Sequence, residues 1–231
     1  MQEYSSPLAV EVDRSAALPD AVRGRAASRP EAISFRRRSA SGWEPVTAKQ
    51  FCAEVDAIAK GLIAAGVQAG DRVGLMSKTR YEWTLCDYAI WTTGAVTVPV
   101  YETSSAEQVQ WNLGDSGAVA AFLETEHHQS TLKSVLDQLP DLKSSWGFDA
   151  GDLEGLKASG AGVSDEELTA RRETLDSGSL ATIIYTSGTT GRPKGCELSH
   201  GQLLYTGRSA AAVLPELFNP QGSTLLFLPL A

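Results

Sequence analysis

"SLATIIYTSGTTGRPKG", residues 179–195, begins as one kind of segment and ends as another. Its first half is rich in β-branched and aromatic side chains, the composition of a buried strand. From Thr186 onward the chain is mostly Gly, Ser and Thr, closed by Pro193, Lys194 and Gly195. A strand that runs into such a turn presents backbone N–H groups and hydroxyls with little bulk to block approach, which is what a polyphosphate requires. Lys194 adds positive charge. A merely flexible surface loop would need neither that lysine nor the strand ahead of it, so the stretch reads as a phosphate-binding loop. Spacing excludes two common types. A Walker loop requires GxxxxGK[ST], whereas Lys194 stands between Pro193 and Gly195. A kinase-type or dinucleotide loop requires GxGxxG, whereas these glycines fall at 188, 191 and 195.

Outward from this loop, helix-like and strand-like segments alternate. "TAKQFCAEVDAIAKGLIAAGV" opens with Thr47 and Gln50 as a capping box, then sets Phe51, Val55, Ile58 and Leu62 on one helical face. "DRVGLMS" (71–77) predicts a strand, "RYEWTLCDYAIWTTG" a helix closed near Gly94, and "AVTVPVY" (95–101) a buried strand. Ser104 and Glu107 predict a second capping box, with its helix ending near Gly114. "AVAAFLE" (118–124) predicts another strand, and "TEHHQSTLKSVLDQLP" a helix ending by Pro140. Residues 150–180 are loop-rich, with one short helix capped by Ser164 and Glu167. Ser199 and Gln202 form a further capping box, opening a helix that ends before Pro215. Strands separated by helices of this length imply an α/β fold with a mainly parallel sheet covered on both faces. The phosphate loop should lie at the carboxyl edge of that sheet. The first ~45 residues, with a hairpin carrying Arg36 to Arg38, should pack at its periphery.

Composition bounds the function. The 231 residues are 42% hydrophobic, enough for a sizeable core, and carry a net charge of −8. An acidic surface repels nucleic acid, and the three arginines read as a solvated face. There is no signal-like amino terminus and no apolar run of the ~18 residues that a membrane span requires, so the expected localisation is cytoplasmic, without a transmembrane segment. Cys52, Cys86 and Cys196 have no CxxC spacing and read as small apolar residues rather than disulfide or zinc ligands. His127 and His128, being adjacent, cannot form a metal pair on one helix face and are assigned to the surface. His200, in the first turn of the last helix, reads as a partly buried structural histidine.

The loop's pattern resembles the ATP-binding signature of the acyl-adenylate-forming enzymes, which include acyl-CoA synthetases. Thr186 to Gly195 match [ST]SG[ST]TGxPKG at every defined position. "AAGVQAGDRV" (64–73) and "RYEWTLCDYAIWTTGAVTVPVYETSSAEQVQWNLGDSGA" (80–118) are similar to the bacterial long-chain fatty acyl-CoA synthetase branch. The resemblance implies ATP, Mg²⁺ and coenzyme A, with a fatty acid as substrate. A carboxylate would attack the α-phosphorus of ATP to give acyl-AMP and pyrophosphate, and a thiol would then displace AMP. On this reading Thr186, Ser187, Thr189, Thr190 and the amides around Gly188 and Gly191 hold the β- and γ-phosphates. Lys194, next to Gly195, neutralises the departing pyrophosphate, and the glycines let the loop release between half-reactions.

Relative to that family the sequence stops at "STLLFLPLA" (223–231), read as a strand. The segments that carry the acyl pocket, the adenine, ribose and metal contacts and the mobile carboxyl-terminal lid lie beyond it in the resembled enzymes. Residues 1–231 are therefore expected to be an incomplete amino-terminal AMP-binding domain, inactive alone, with no complete catalytic set and no metal ligands of its own. An apolar edge at "LLFLPLA" would favour self-association. Two alternatives remain open: an adenylate-forming enzyme for another acid or thiol acceptor, and a non-enzymatic nucleotide-binding or interaction module.

Overall fold

A computed structural model describes residues 10–186, 192–220, 222–226 and 228–230. The chain opens with helix α1 (Leu18–Ser28) and an antiparallel hairpin of β1 (Ile33–Ser39) and β2 (Gly42–Thr47). Arg36, Arg37 and Arg38 are exposed on β1, where Arg37 lies 3.8 Å from Glu44 and Arg38 stands over Trp43. The hairpin is pinned from beneath by Phe35, whose ring lies 4.5 Å from that of Phe51.

Thereafter the elements alternate: α2 (Ala48–Ala64), β3 (Arg72–Met76), α3 (Tyr81–Thr92), β4 (Val96–Val100), α4 (Ala106–Ser116), β5 (Ala118–Leu123) and α5 (Glu126–Lys133). They continue with β6 (Ser144–Gly147), α6 (Asp152–Ser159), α7 (Asp165–Arg172), β7 (Leu180–Thr186), β8 (Lys194–Ser199) and α8 (His200–Val213). The main sheet has the order β6-β5-β3-β4-β7-β8. Its first five strands are parallel, and β8 alone runs antiparallel, paired to β7. The expected α/β architecture, mainly parallel with helices on both faces, is observed.

Side-chain alternation divides the core. Val73, Leu75 and Phe122 point to the face covered by α2, α3 and α6, while Met76, Val100 and Leu123 pack with Val109 and Leu113 of α4 and Leu132 of α5. Beneath α3 a buried polar chain crosses three elements. The Thr97 hydroxyl donates to Asp87 at 2.6 Å, and the Thr97 carbonyl accepts from the Thr182 hydroxyl at 3.0 Å. Burial pushes the Asp87 carboxyl up to about 7, against the hydrogen bond from Thr97, which acts to lower it.

Several details depart from the sequence reading. The α4 cap is Ser105 with Gln108, one residue later than Ser104 with Glu107, and the helix runs past Gly114 to close on Gly117 at φ +65°. Both pairs have the right chemistry, and the choice falls to the residue whose extended backbone meets the first helical turn. Helices α1 and α6 and strand β6 had no expectation. His128 is buried, with only His127 on the surface. Cys196 is exposed on β8, unlike the buried Cys86. Residues 222–226 form no strand: among the described residues nothing runs alongside to pair with them. Leu225 and Leu226 are nonetheless exposed there, as are Val213, Leu217 and Phe218 ahead of them. No helix among the described residues is long and apolar enough to cross a membrane.

Candidate functional site

The Gly/Ser/Thr-rich stretch read from sequence as a phosphate loop connects the two strands of a β-hairpin. β7 ends at Thr186, at the carboxyl edge of the parallel strands, and the chain returns as β8 from Lys194. Ser187, Gly188, Thr189, Thr190 and Gly191 lie outside the described residues. The described members of the predicted set are close together, because the register places Thr186 directly opposite Lys194 and Tyr185 opposite Gly195. Opposed residues of an antiparallel pair share a face, so Thr186 and Lys194 project together and Tyr185 projects the other way. Thr186 and Lys194 are both exposed. Among the described residues Lys194 takes no ion pair, which leaves its charge available to an external anion.

Gly195 has a structural reason for its identity. A Cβ there would stand 2.7 Å from Ile183 Cγ2 and 3.3 Å from Tyr185 Cζ, so the close approach of β8 to β7 needs glycine at this point.

Both stems of the loop rest on α4. The Tyr185 hydroxyl donates to Asp115 Oδ2 at 2.7 Å, and the Trp111 indole N–H donates to the Pro193 carbonyl at 2.8 Å. The Arg192 guanidinium lies over the Trp111 ring, 4.6 Å from its centroid. Burial and the Asp115 carboxylate both raise the Tyr185 phenol, which keeps it a donor. A cavity of about 310 Å³ opens beside this contact, between α4 and residues 138–142, with Arg192 on its rim. None of Trp111, Asp115, Arg192 or Tyr185 was singled out from sequence. The available signal was the i, i+4 spacing of Trp111 and Asp115, which sets both on one face of a helix.

Other polar groups at the carboxyl edge are engaged among themselves. Arg80 binds Glu82 at 2.7 Å and Asp149 at 2.9 Å, and Glu124 accepts from the Lys78 backbone N–H at 2.8 Å. His200, expected to be partly buried, is wholly buried. Its Nδ1 accepts from the Leu18 N–H at 3.4 Å, its ring meets Trp91 edge-on, and burial lowers it to about 4, so it stays neutral. Among the described residues no group of three or more His, Cys, Asp or Glu side chains could hold a metal ion.

The arrangement is a mainly parallel α/β domain with an exposed lysine on an edge hairpin at its carboxyl end. The AMP-binding enzyme family matches residues 22–231, and the chain belongs to that family. A long-chain-fatty-acid–CoA ligase of Mycobacterium bovis, FadD15, is 46% identical over 205 residues, covering 87% of this chain and 34% of the relative. The chain thus spans about a third of the length of that relative. Two solved structures have the same fold. A long-chain-fatty-acid–CoA ligase from Archaeoglobus fulgidus, FadD1, aligns at TM-score 0.71 with 20% identity, over 89% of this chain and 41% of its own. VinN, solved with L-aspartate, aligns at TM-score 0.70 with 22% identity, over 87% of this chain and 53% of its own.

Proposed function

We propose that this chain is the phosphate-holding, amino-terminal part of a longer ATP-dependent long-chain fatty acid–CoA ligase. The observation that carries the reading is the loop's placement: a Gly/Ser/Thr connection at the carboxyl end of β7, with Lys194, which takes no ion pair among the described residues, opposite Thr186. The name and identity of the mycobacterial relative support a fatty acid as the activated acid, and its greater length supports further segments in the working enzyme.

In the proposed reaction the acid's carboxylate attacks the α-phosphorus of ATP, the bond to the β-phosphate oxygen breaks, and acyl-AMP and pyrophosphate result. The thiol of coenzyme A then attacks the acyl carbon and releases AMP. The loop positions and neutralises. Hydroxyls of Thr186, Ser187, Thr189 and Thr190 and backbone N–H groups near Gly188 and Gly191 hold the β- and γ-phosphates. Lys194 offsets charge on the leaving pyrophosphate. Gly195 serves by letting β8 approach β7. Mg²⁺ enters with the nucleotide as part of the substrate, bound through phosphate oxygens.

Replacing Lys194 by Ala in the complete ligase should slow acid-dependent pyrophosphate release on the order of 10²-fold. Unchanged release would remove the reading's central residue. The L-aspartate complex of VinN favours a second reading, activation of a different acid on the same fold. Thioester formation across a panel of acids separates the two, and no thioester with any acid would leave a binding module without ligase activity.

A further inference from the structure

The hairpin that carries the loop is an edge element. β8 has no strand on its outer side among the described residues, and Lys194 to Glu197 are exposed along it. Such a hairpin has few packing contacts with which to hold a loop tip at a fixed height over a ligand. Instead, one helix reaches both stems. Asp115 takes the hydroxyl of Tyr185 on the incoming strand, and Trp111, one turn earlier on the same face, takes the carbonyl of Pro193 and the guanidinium of Arg192 on the outgoing one. We propose that α4 is the seat of the phosphate loop and that Trp111 and Asp115 are positioning residues for polyphosphate binding. They act through the stems rather than by touching the nucleotide, and the role rests on the phosphate-binding reading above.

The chemistry of the contacts fits a seat better than general packing. A neutral hydroxyl donating to an ionised carboxylate is a charge-assisted bond, stronger than an ordinary one. A guanidinium over an indole is fixed in direction, and the indole N–H stops the Pro193 carbonyl from turning. Loss of Trp111's contact need not disturb the core, because the residue is only half-buried and borders the cavity beside α4. Tyr185 on the incoming stem and Arg192 and Pro193 on the outgoing one are therefore anchored to one rigid element.

The test uses the 231-residue chain, with inorganic tripolyphosphate as the ligand probe and trypsin as the probe of the stem. Trypsin does not cut Arg192–Pro193, so cleavage at Lys194–Gly195 reports release of the outgoing stem. Trp111→Phe keeps a ring beneath Arg192 but deletes the N–H donor, and Asp115→Ala deletes the acceptor. Each should speed that cleavage and weaken tripolyphosphate binding about fivefold, with the melting temperature of the chain lowered by no more than about 4 °C, as expected for loss of one hydrogen bond. Asp115→Asn keeps an acceptor oxygen for the Tyr185 hydroxyl but removes its charge, and should fall between the native chain and Asp115→Ala, whereas a purely electrostatic role would make the two variants alike. If Trp111→Phe and Asp115→Ala leave both cleavage and affinity unchanged while Lys194→Ala still abolishes binding, the seat is wrong and the phosphate reading survives. If Lys194→Ala also leaves affinity unchanged, the phosphate reading fails, and the positioning role fails with it.

Discussion

The four strands β3 to β6 and the hairpin β7–β8 belong to one sheet but are held in place differently. In the inner part, Val73, Leu75 and Phe122 are fully buried, and helices cover both faces. In the outer part, β7 is half-buried and paired to β4, β8 is exposed over most of its length, and the loop-side stems are held by a few directional contacts to α4. Stability is thus kept in one place and adaptability in another. On the phosphate-binding reading proposed above, the loop that admits and releases a polyanion is carried on the least buried strand pair of the main sheet, and hydrogen bonds to a buried-face helix supply the precision that packing does not. Regions with few apolar contacts and exposed backbone open at lower free energy than the core.

The largest effect is expected at Phe122, which is wholly buried with its ring 5.1 Å from Trp146 and 6.0 Å from Phe148. Phe122→Ala removes a large side chain from a site with helices on one side and aromatic rings beside it. It should cost about 3–5 kcal/mol in chemical denaturation. A cost below about 1 kcal/mol would show that the inner strands are not the stability centre.

Asp87 bears on the same contrast, because it joins the two parts through Thr97 of β4 and Thr182 of β7. Its carboxyl sits at about 7 in the fold, against 3.8 when unperturbed. The folded state therefore holds this proton more tightly than the unfolded chain does. Its contribution is fully present below about pH 4 and is lost as pH rises through about 7. Asp87→Asn keeps an acceptor for Thr97 and cannot ionise. The variant should match the native chain near pH 4 and exceed it by on the order of 2–4 kcal/mol near pH 8. Parallel stability–pH curves for the two proteins would rule out a buried, proton-holding Asp87.

How much of this was legible before the structure follows from where each signal resides. The inner sheet was readable because its elements advertise themselves locally: Thr47 and Gln50 do cap α2, Ser199 and Gln202 do cap α8, and "AVTVPVY" contains the wholly buried β4. The loop was readable because its composition makes no sense in a core. Helix α1 was not, since it buries only Pro19 of its own residues and so carries almost no apolar period. Strand β6, "SSWG", is too short and polar to announce itself, and it exists because β5 offers it a ladder. Strand β8 was hidden because Pro193, Lys194 and Gly195 look like the end of a loop, yet Gly195 is there for close strand contact. The seat on α4 was least legible of all. It pairs residues 111 and 115 with 185, 192 and 193, and nothing within either segment marks the other.

Gly195 offers a smaller effect confined to the outer part. Gly195→Ala places a methyl 2.7 Å from Ile183 Cγ2, and the isoleucine is buried, so it must turn or β8 must shift outward. Overpacking of this kind costs about 1–3 kcal/mol. Because the hairpin is an edge, the loss should appear as faster hydrogen exchange at Ile184 and Cys196, with Val73 and Leu75 protected as before. Equal loss of protection in both places would mean that hairpin and inner sheet unfold as one unit and that the contrast drawn above is false.

The smallest expected effect has the opposite sign and tests whether glycine in this outer region is always structural. Gly207 lies within α8 and is exposed, and a methyl added to it would meet nothing within 4 Å, whereas one on Gly195 would meet both Ile183 and Tyr185 inside that distance. Its backbone is helical, so alanine can adopt it without strain, and the glycine contributes only extra freedom to the unfolded chain. Gly207→Ala should stabilise α8 by about 0.5–1 kcal/mol, read as a rise in thermal midpoint with no change in tripolyphosphate affinity. The pair of substitutions then separates two uses of one residue type in neighbouring elements: at 195 the missing side chain lets two strands meet, and at 207 it does nothing the fold requires. A destabilised Gly207→Ala would place an unseen contact on the exposed face of α8 and make that helix, like the hairpin before it, part of a surface that the fold keeps open.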